Sequence, residues 1–102
     1  MNDDLTYDLT FTKRKPCQYG GGTWIAGSLS GYRFEALVFP EHAENSDYEI
    51  GDSQISKLWI QRIADRTVTY NWDRGLDIPP VDPTTDLIVE FLCAGLAEHA
   101  FA

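Results

Sequence analysis

The sequence predicts an α+β fold, an antiparallel four- or five-stranded sheet with one C-terminal helix packed on one face. Three observations carry that expectation. Segments of strand-like hydrophobic pattern recur between residues 5 and 72, helical spacing follows only after Pro83, and short Ser-Gly and Ala-Asp links join neighbouring strands. A chain of 102 residues that is 43% hydrophobic supplies one core, so a single domain over residues 1–102 is expected.

Leu5 to Thr12 alternates without a fault, with Leu5, Tyr7, Leu9 and Phe11 on one side and Thr6, Asp8, Thr10 and Thr12 on the other, which reads as a half-buried strand. Lys13-Arg14-Lys15-Pro16 is expected to end it near residue 13, and Tyr19-Gly20-Gly21-Gly22 reads as a connector. Thr23 to Ser30 and Tyr32 to Phe39 read as a hairpin turning at Ser30-Gly31. Trp24 and Ala26 share one face of its first arm. Tyr32, Phe34, Ala36 and Val38 share one face of the second, with Arg33 and Glu35 toward solvent.

Pro40 stops that arm, and Glu41 to Gln54 reads as a long acidic loop in which Tyr48 and Ile50 are the apolar anchors. Ile55 to Ile63 and Arg66 to Trp72 form a second strand pair around Ala64-Asp65. The first of these carries bulk on both sides, Leu58 and Ile60 against Ile55, Trp59 and Ile63, as a central strand does. Asp82-Pro83 has the form of an N-cap followed by proline at the first helical position. From there Leu87, Ile88, Phe91, Leu92, Gly95 and Leu96 fall on one helical face. Gly95 costs about 1 kcal/mol against alanine inside a helix, so it is expected to mark a close approach of helix and sheet.

The composition also excludes functions. Sixteen Asp and Glu against eight Lys and Arg give a net charge of −8, which argues against direct binding of nucleic acid or an anionic membrane. No apolar run approaches the roughly 20 residues of a membrane span, and the acidic start, Met-Asn-Asp-Asp-Leu, is unlike a secretory leader. A cytoplasmic protein with Cys17 and Cys93 as free thiols is expected.

Several motifs fail on inspection. Gly27-Ser28-Leu29-Ser30-Gly31 has Leu29 at the centre where a nucleophile elbow needs serine. Gly20-Gly21-Gly22 lacks the Lys-Ser/Thr of a phosphate loop. His42 and His99 lie far apart in no metal-ligand spacing, and read as a solvated loop residue and a helix C-terminal partner. The acidic loop lacks the EF-hand pattern. No catalytic residue, metal site or cofactor is therefore expected.

The positive signals concern binding. Glu41, Glu44, Asp47, Glu49 and Asp52 in the loop join Asp77, Asp82, Asp86, Glu90 and Glu98 beyond the last basic residue, Arg74. Together they predict a negative surface suited to a protein partner with a basic surface. Trp72-Asp73-Arg74-Gly75-Leu76-Asp77 concentrates hot-spot residue types where a strand leaves the sheet, so Trp72, Asp73, Arg74 and Asp77 join the predicted partner-binding set. The same segment also reads as an internal staple, with Arg74 forking onto Asp73 or Asp77, Gly75 at positive φ and Trp72 closing one end of the core. A different class of function, a small-ligand or metal-binding protein or minimal hydrolase, requires a cavity holding Arg74 and at least two converging carboxylates, with the acidic loop as its lid. A homo-oligomer through the edge strand Leu5 to Thr12 is a third possibility.

Gly22-Thr23-Trp24, Gly31-Tyr32-Arg33-Phe34-Glu35-Ala36, Ser56-Lys57-Leu58-Trp59-Ile60 and Tyr70-Asn71-Trp72-Asp73-Arg74-Gly75-Leu76-Asp77 give residues 22–80 a resemblance. They resemble a family of small uncharacterised proteins from bacteria, phages and mobile elements. The resemblance implies a phage or mobile-element setting and transfers no activity. With the negative surface it suggests an inhibitor that mimics the charge of nucleic acid on a host nucleic-acid-binding or defence protein.

Overall fold

The computed structural model of the chain describes residues 9–16, 21–42, 49–51 and 53–101. Its strands are β1 (Thr10–Pro16), β2 (Thr23–Leu29), β3 (Tyr32–Val38), β4 (Ile55–Arg62), β5 (Val68–Asp73) and β6 (Leu76–Ile78), followed by the helix α1 (Pro83–Phe101). The strands pair antiparallel in the order β1-β2-β3-β4-β5-β6. An antiparallel sheet with a C-terminal helix is what the sequence predicts. The sheet has six strands rather than four or five, because the chain after Asp73 folds straight back on β5 as a three-residue strand.

The β2–β3 hairpin matches its prediction. Ser30 (φ 55°) and Gly31 (φ 83°) both take the left-handed conformation that a two-residue hairpin turn requires, and the arms run in register from Leu29↔Tyr32 to Thr23↔Val38. Ile25 and Leu29 are buried in one cluster with Phe34, Ala36 and Val38. Trp24 and Ala26 do share a face, and it is the one turned away from that cluster.

The register shifts at four places elsewhere, between β1 and β2, β3 and β4, β4 and β5, and β5 and β6, and the first two move side chains between faces that matter here. In β1 the register slips between Phe11 and Lys13, so Thr12 is the extra residue and the strand continues to Pro16, beyond its expected end at 13. A strand paired on one side only accommodates that proline. The slip sends Phe11 and Arg14 toward α1, where Phe11 stacks on His99 with ring centroids 4.1 Å apart and the Arg14 guanidinium donates to the Ala100 carbonyl. Lys13 and Lys15 take the opposite face, beside Ala26 and Trp24. A Cβ on Gly27 would lie 2.4 Å from the Thr10 carbonyl oxygen, so only glycine permits this approach of β1 to β2. Residues 5–8 of the predicted first strand lie outside the described residues.

Between β3 and β4 the pairing jumps from Leu37↔Lys57 to Val38↔Ile55. Ser56 is the extra residue, and Ile55 joins Leu58 and Ile60 in the core instead of lying with Trp59 as simple alternation predicts. Ile63, expected on that same side, ends the strand half-exposed in the turn. β4 is central, between β3 and β5, as its double-sided bulk predicts. Ile50 anchors the preceding loop as expected, packing on the core and donating its N–H to the Ile55 carbonyl at 3.1 Å.

α1 spans the predicted residues, and Asp82 is its N-cap, with Oδ1 accepting the Thr85 N–H at 2.7 Å. The other oxygen of that carboxylate accepts Arg62 Nη2 at 2.7 Å and the Tyr32 hydroxyl at 2.8 Å, tying the helix start to β3 and β4. The buried face is Thr85, Ile88, Val89, Leu92, Leu96 and Ala100. The expected stripe is therefore turned. Ile88, Leu92 and Leu96 are buried as expected, but the contact line runs along the i, i+4 ridge from Ile88 to Ala100, and Phe91 and Gly95, about 100° from Leu92 and Leu96, are exposed. A Cβ on Gly95 would meet nothing within 4 Å, so this glycine does not mark a close approach.

Gly95→Ala is thus expected to stabilise the protein by about 1 kcal/mol in urea denaturation, whereas a buried glycine would make the change destabilising. The Asp82 carboxyl gives a second expectation. Burial works to raise its pKa, and Arg62, Thr85 and Tyr32 outweigh that and hold it well below the usual carboxylate range. A folded-state pKa below the unfolded value of about 3.9 contributes stability above that pH and loses it as pH falls. The stability gap between wild type and Asp82→Asn should be constant near neutrality and close below about pH 4; a gap that ignores pH would contradict the clamp.

Candidate functional site

The site begins at the turn between β5 and β6. Arg74 (φ 56°) and Gly75 (φ 152°) both lie at positive φ, and the Asp73 N–H donates to the Gly75 carbonyl at 3.0 Å. Glycine suits such a backbone at little steric cost, as the staple reading anticipates for Gly75. The Arg74 N–H donates to the Ser56 carbonyl at 2.9 Å, which sets the turn against the start of β4. Asp73 pairs with Lys57 at 3.5 Å, and Asp77 accepts from Asn71 Nδ2 at 3.0 Å. Exposed pairs of this kind contribute at most about 1 kcal/mol, so they orient side chains more than they stabilise the fold.

The second wall comes from the loop after β3. His42 Nδ1 lies 2.8 Å from Glu49 Oε2, and the same carboxylate oxygen accepts the Gln54 N–H at 3.3 Å. Gln54 in turn donates Nε2 to the Phe39 carbonyl at 3.0 Å. Glu49 is only 4% exposed. An isolated buried carboxylate is costly, and the imidazole and amide beside it are what make this position tenable.

The two walls enclose a cavity of about 540 Å³ lined by residues that include Glu41, His42, Glu49, Lys57 and Arg74, with Leu37, Phe39 and Pro40 as its apolar part. Its volume falls in the range of small-molecule sites. Two carboxylates and two permanent cations from three separate segments converge there, which is the arrangement the small-ligand reading requires.

The predicted partner-binding residues separate in space. Arg74 lines the cavity, while Asp73 and Asp77 are exposed on the strands flanking the turn. Trp72 packs against the core, and its Nε1 is buried with no hydrogen-bond partner among the described residues, so its role is the core closure of the staple reading. Glu49 is buried and bonded within the loop, which corrects its expected place on an outward negative surface. Glu44, Asp47 and Asp52 lie outside the described residues. His42 is 59% exposed, as expected of a solvated loop residue, with Nδ1 against Glu49; His99 lies in the last turn of α1, as expected, and stacks on Phe11.

Of the other cavity residues, Glu41 was read as part of the acidic loop and His42 as a solvated residue, and Lys57 was given no role in a site. Lys57 follows the extra residue of the β3–β4 bulge, and nothing in local sequence fixes that bulge. Among the described residues no group of three or more His, Cys, Asp or Glu is placed to hold a metal ion, and no helix is long and apolar enough to cross a membrane. Burial pushes the Cys93 thiol up, against a hydrogen bond with Ser53 that lowers it.

Glu49→Ala is expected to cost about 1–3 kcal/mol and to speed amide exchange at Gln54 and Ile55. Unchanged exchange there would mean that Glu49 does not organise the loop.

Compared with known proteins, residues 23–97 match a family model described as Domain of unknown function (DUF7678). No curated protein and no solved structure matches the chain.

Proposed function

We propose that this chain, which belongs to the family of the domain of unknown function DUF7678, is a non-catalytic binding domain whose ligand is a small polar molecule bearing an anionic group. One observation carries the reading, the cavity lined by Lys57 and Arg74 together with Glu41 and Glu49. A guanidinium offers paired donors to a carboxylate or phosphate, and the carboxylates accept hydrogen bonds or a positive charge. Leu37, Phe39 and Pro40 supply the apolar surface that a small ligand needs for affinity beyond its charges.

Amide chemical shifts during titration with succinate or inorganic phosphate test this. Perturbations centred on Ser56, Lys57 and Arg74, abolished in Arg74→Ala, support the reading. Absence of perturbation at millimolar ligand, or an unchanged response in Arg74→Ala, removes it.

A second reading, docking on a basic protein, is favoured by α1. Its outer face exposes Asp86, Glu90 and Glu98, and from Leu76 onward the chain has no Lys or Arg. On this reading the domain is a phage or mobile-element inhibitor that presents carboxylates where a host protein expects phosphates. Binding to such a partner should weaken with salt and with charge reversal at Asp86, Glu90 and Glu98. Affinity indifferent to both would rule it out.

A further inference from the structure

The sheet face opposite α1 carries a pattern of its own. Strand register places its side chains in rows: Lys15, Trp24, Leu37, Lys57 and Asp73 in one, and Lys13, Ala26, Glu35, Trp59 and Asn71 in the next. Arg33 and Gln61 pair in a third row. Trp24 and Trp59 border one groove together with Glu35, Lys57, Asn71 and Asp73. Arg33 donates Nε to Gln61 Oε1 at 2.7 Å, and its guanidinium lies over the Trp59 ring, 5.6 Å from the centroid, so a base approaching Trp59 from that side meets the guanidinium plane, itself a surface on which bases stack.

We propose that this face binds single-stranded nucleic acid, with bases stacked at Trp24 and Trp59 and phosphates on Lys13, Lys15, Arg33 and Lys57. The inference goes beyond the cavity reading and uses different side chains except for Lys57.

The net charge of −8 is the obvious objection, and screening answers it. Four cations lie here, Lys13, Lys15, Arg33 and Lys57, against three carboxylates, Glu35, Asp73 and, bonded to Asn71, Asp77. The acidic residues of α1 lie across the sheet, in a domain 24 Å through its shortest dimension. The Debye length at physiological ionic strength is about 8 Å, so a strand on the open face is governed by the local charges. One strand, β3, lies between the tryptophans, which sit in adjacent rows; two strand spacings and a two-residue offset put them about 12 Å apart, a gap that an extended strand bridges with unstacked bases. Base–aromatic stacking tolerates any sequence. Glu35 and Asn71, between and beside the indoles, are suited to base edges, where a carboxylate accepts from an exocyclic amine and an amide both donates and accepts. A flat face presents no helix or ribbon to enter a major groove, which favours a single strand over a duplex.

The test uses the full chain with a fluorescently labelled single strand of about 20 nucleotides, the duplex of the same sequence, and anisotropy over a salt series. The expected result is single-strand binding that quenches tryptophan emission and exceeds duplex binding. Trp24→Ala or Trp59→Ala should weaken it roughly 5- to 100-fold, with Trp59→Phe restoring much of the loss. Lys15→Ala or Arg33→Ala should each lower the salt slope by about 0.7. Arg74→Ala, which disrupts the cavity, should leave it unchanged, so the two readings fail separately. Thermal melts within a few degrees of wild type certify that the variants are folded, and for any variant that unfolds, the quenching of wild-type tryptophan by the oligonucleotide decides. No binding at low salt, equal affinity for the duplex, indifference to both tryptophan changes, or a concentration-dependent dimer that shields the indoles would each overturn the proposal.

Discussion

One helix serves six strands, and that mismatch governs the molecule. A 19-residue helix covers a single face of a sheet, and its closest contacts are with β2, β3 and β4. The aliphatic core and Phe34 gather on that side, as Phe34, Leu58, Ile60, Ile88 and Leu92 do, while Trp24, Leu37 and Trp59 lie on the other. The Asp82 carboxylate fixes the arrangement. It caps the helix, and it holds Arg62 of β4 and the Tyr32 hydroxyl of β3. At 19% side-chain exposure it is sheltered enough for these bonds to matter, unlike the more open Arg62–Asp65 and Lys57–Asp73 pairs.

The consequence for function is a division of charge between surfaces. Lys13, Lys15, Arg33 and Lys57 lie on the face away from α1, Arg14 and Arg62 are bonded on the helix side, and the exposed Asp86, Glu90 and Glu98 lie on α1. At the loop end of the sheet the β3–β4 bulge and the Arg74-Gly75 turn bring charges of both signs to one cavity. An average charge of −8 does not describe the local mixture of charges at the cavity or on the open face.

Much of the architecture was legible in the sequence because its signals are local. Asp82-Pro83 marked the helix start, Ser30-Gly31 the hairpin, and the double-sided bulk of β4 its central position. The misplaced strand residues trace to the bulges. A bulge inserts a single residue and exchanges the faces of the strand beyond it, so Ile55 entered the core and Lys13 and Lys15 joined an open face. Phe91 and Gly95 were misplaced because a broad helical stripe does not reveal which ridge meets the sheet. Of the site, Arg74 was legible from its turn, whereas Lys57 and the His42–Glu49 pair depend on long-range register and loop closure that no short window contains.

The central claim is that α1 lies on the Phe34 and Ile60 side and leaves the Trp24 and Trp59 side uncovered. Side-chain nuclear Overhauser effects from the methyl groups of Ile88, Leu92 and Leu96 measure this directly. The account predicts cross-peaks from these methyls to core side chains of β2, β3 and β4, and none to the indoles of Trp24 or Trp59. Cross-peaks from the helix methyls to either indole would contradict it.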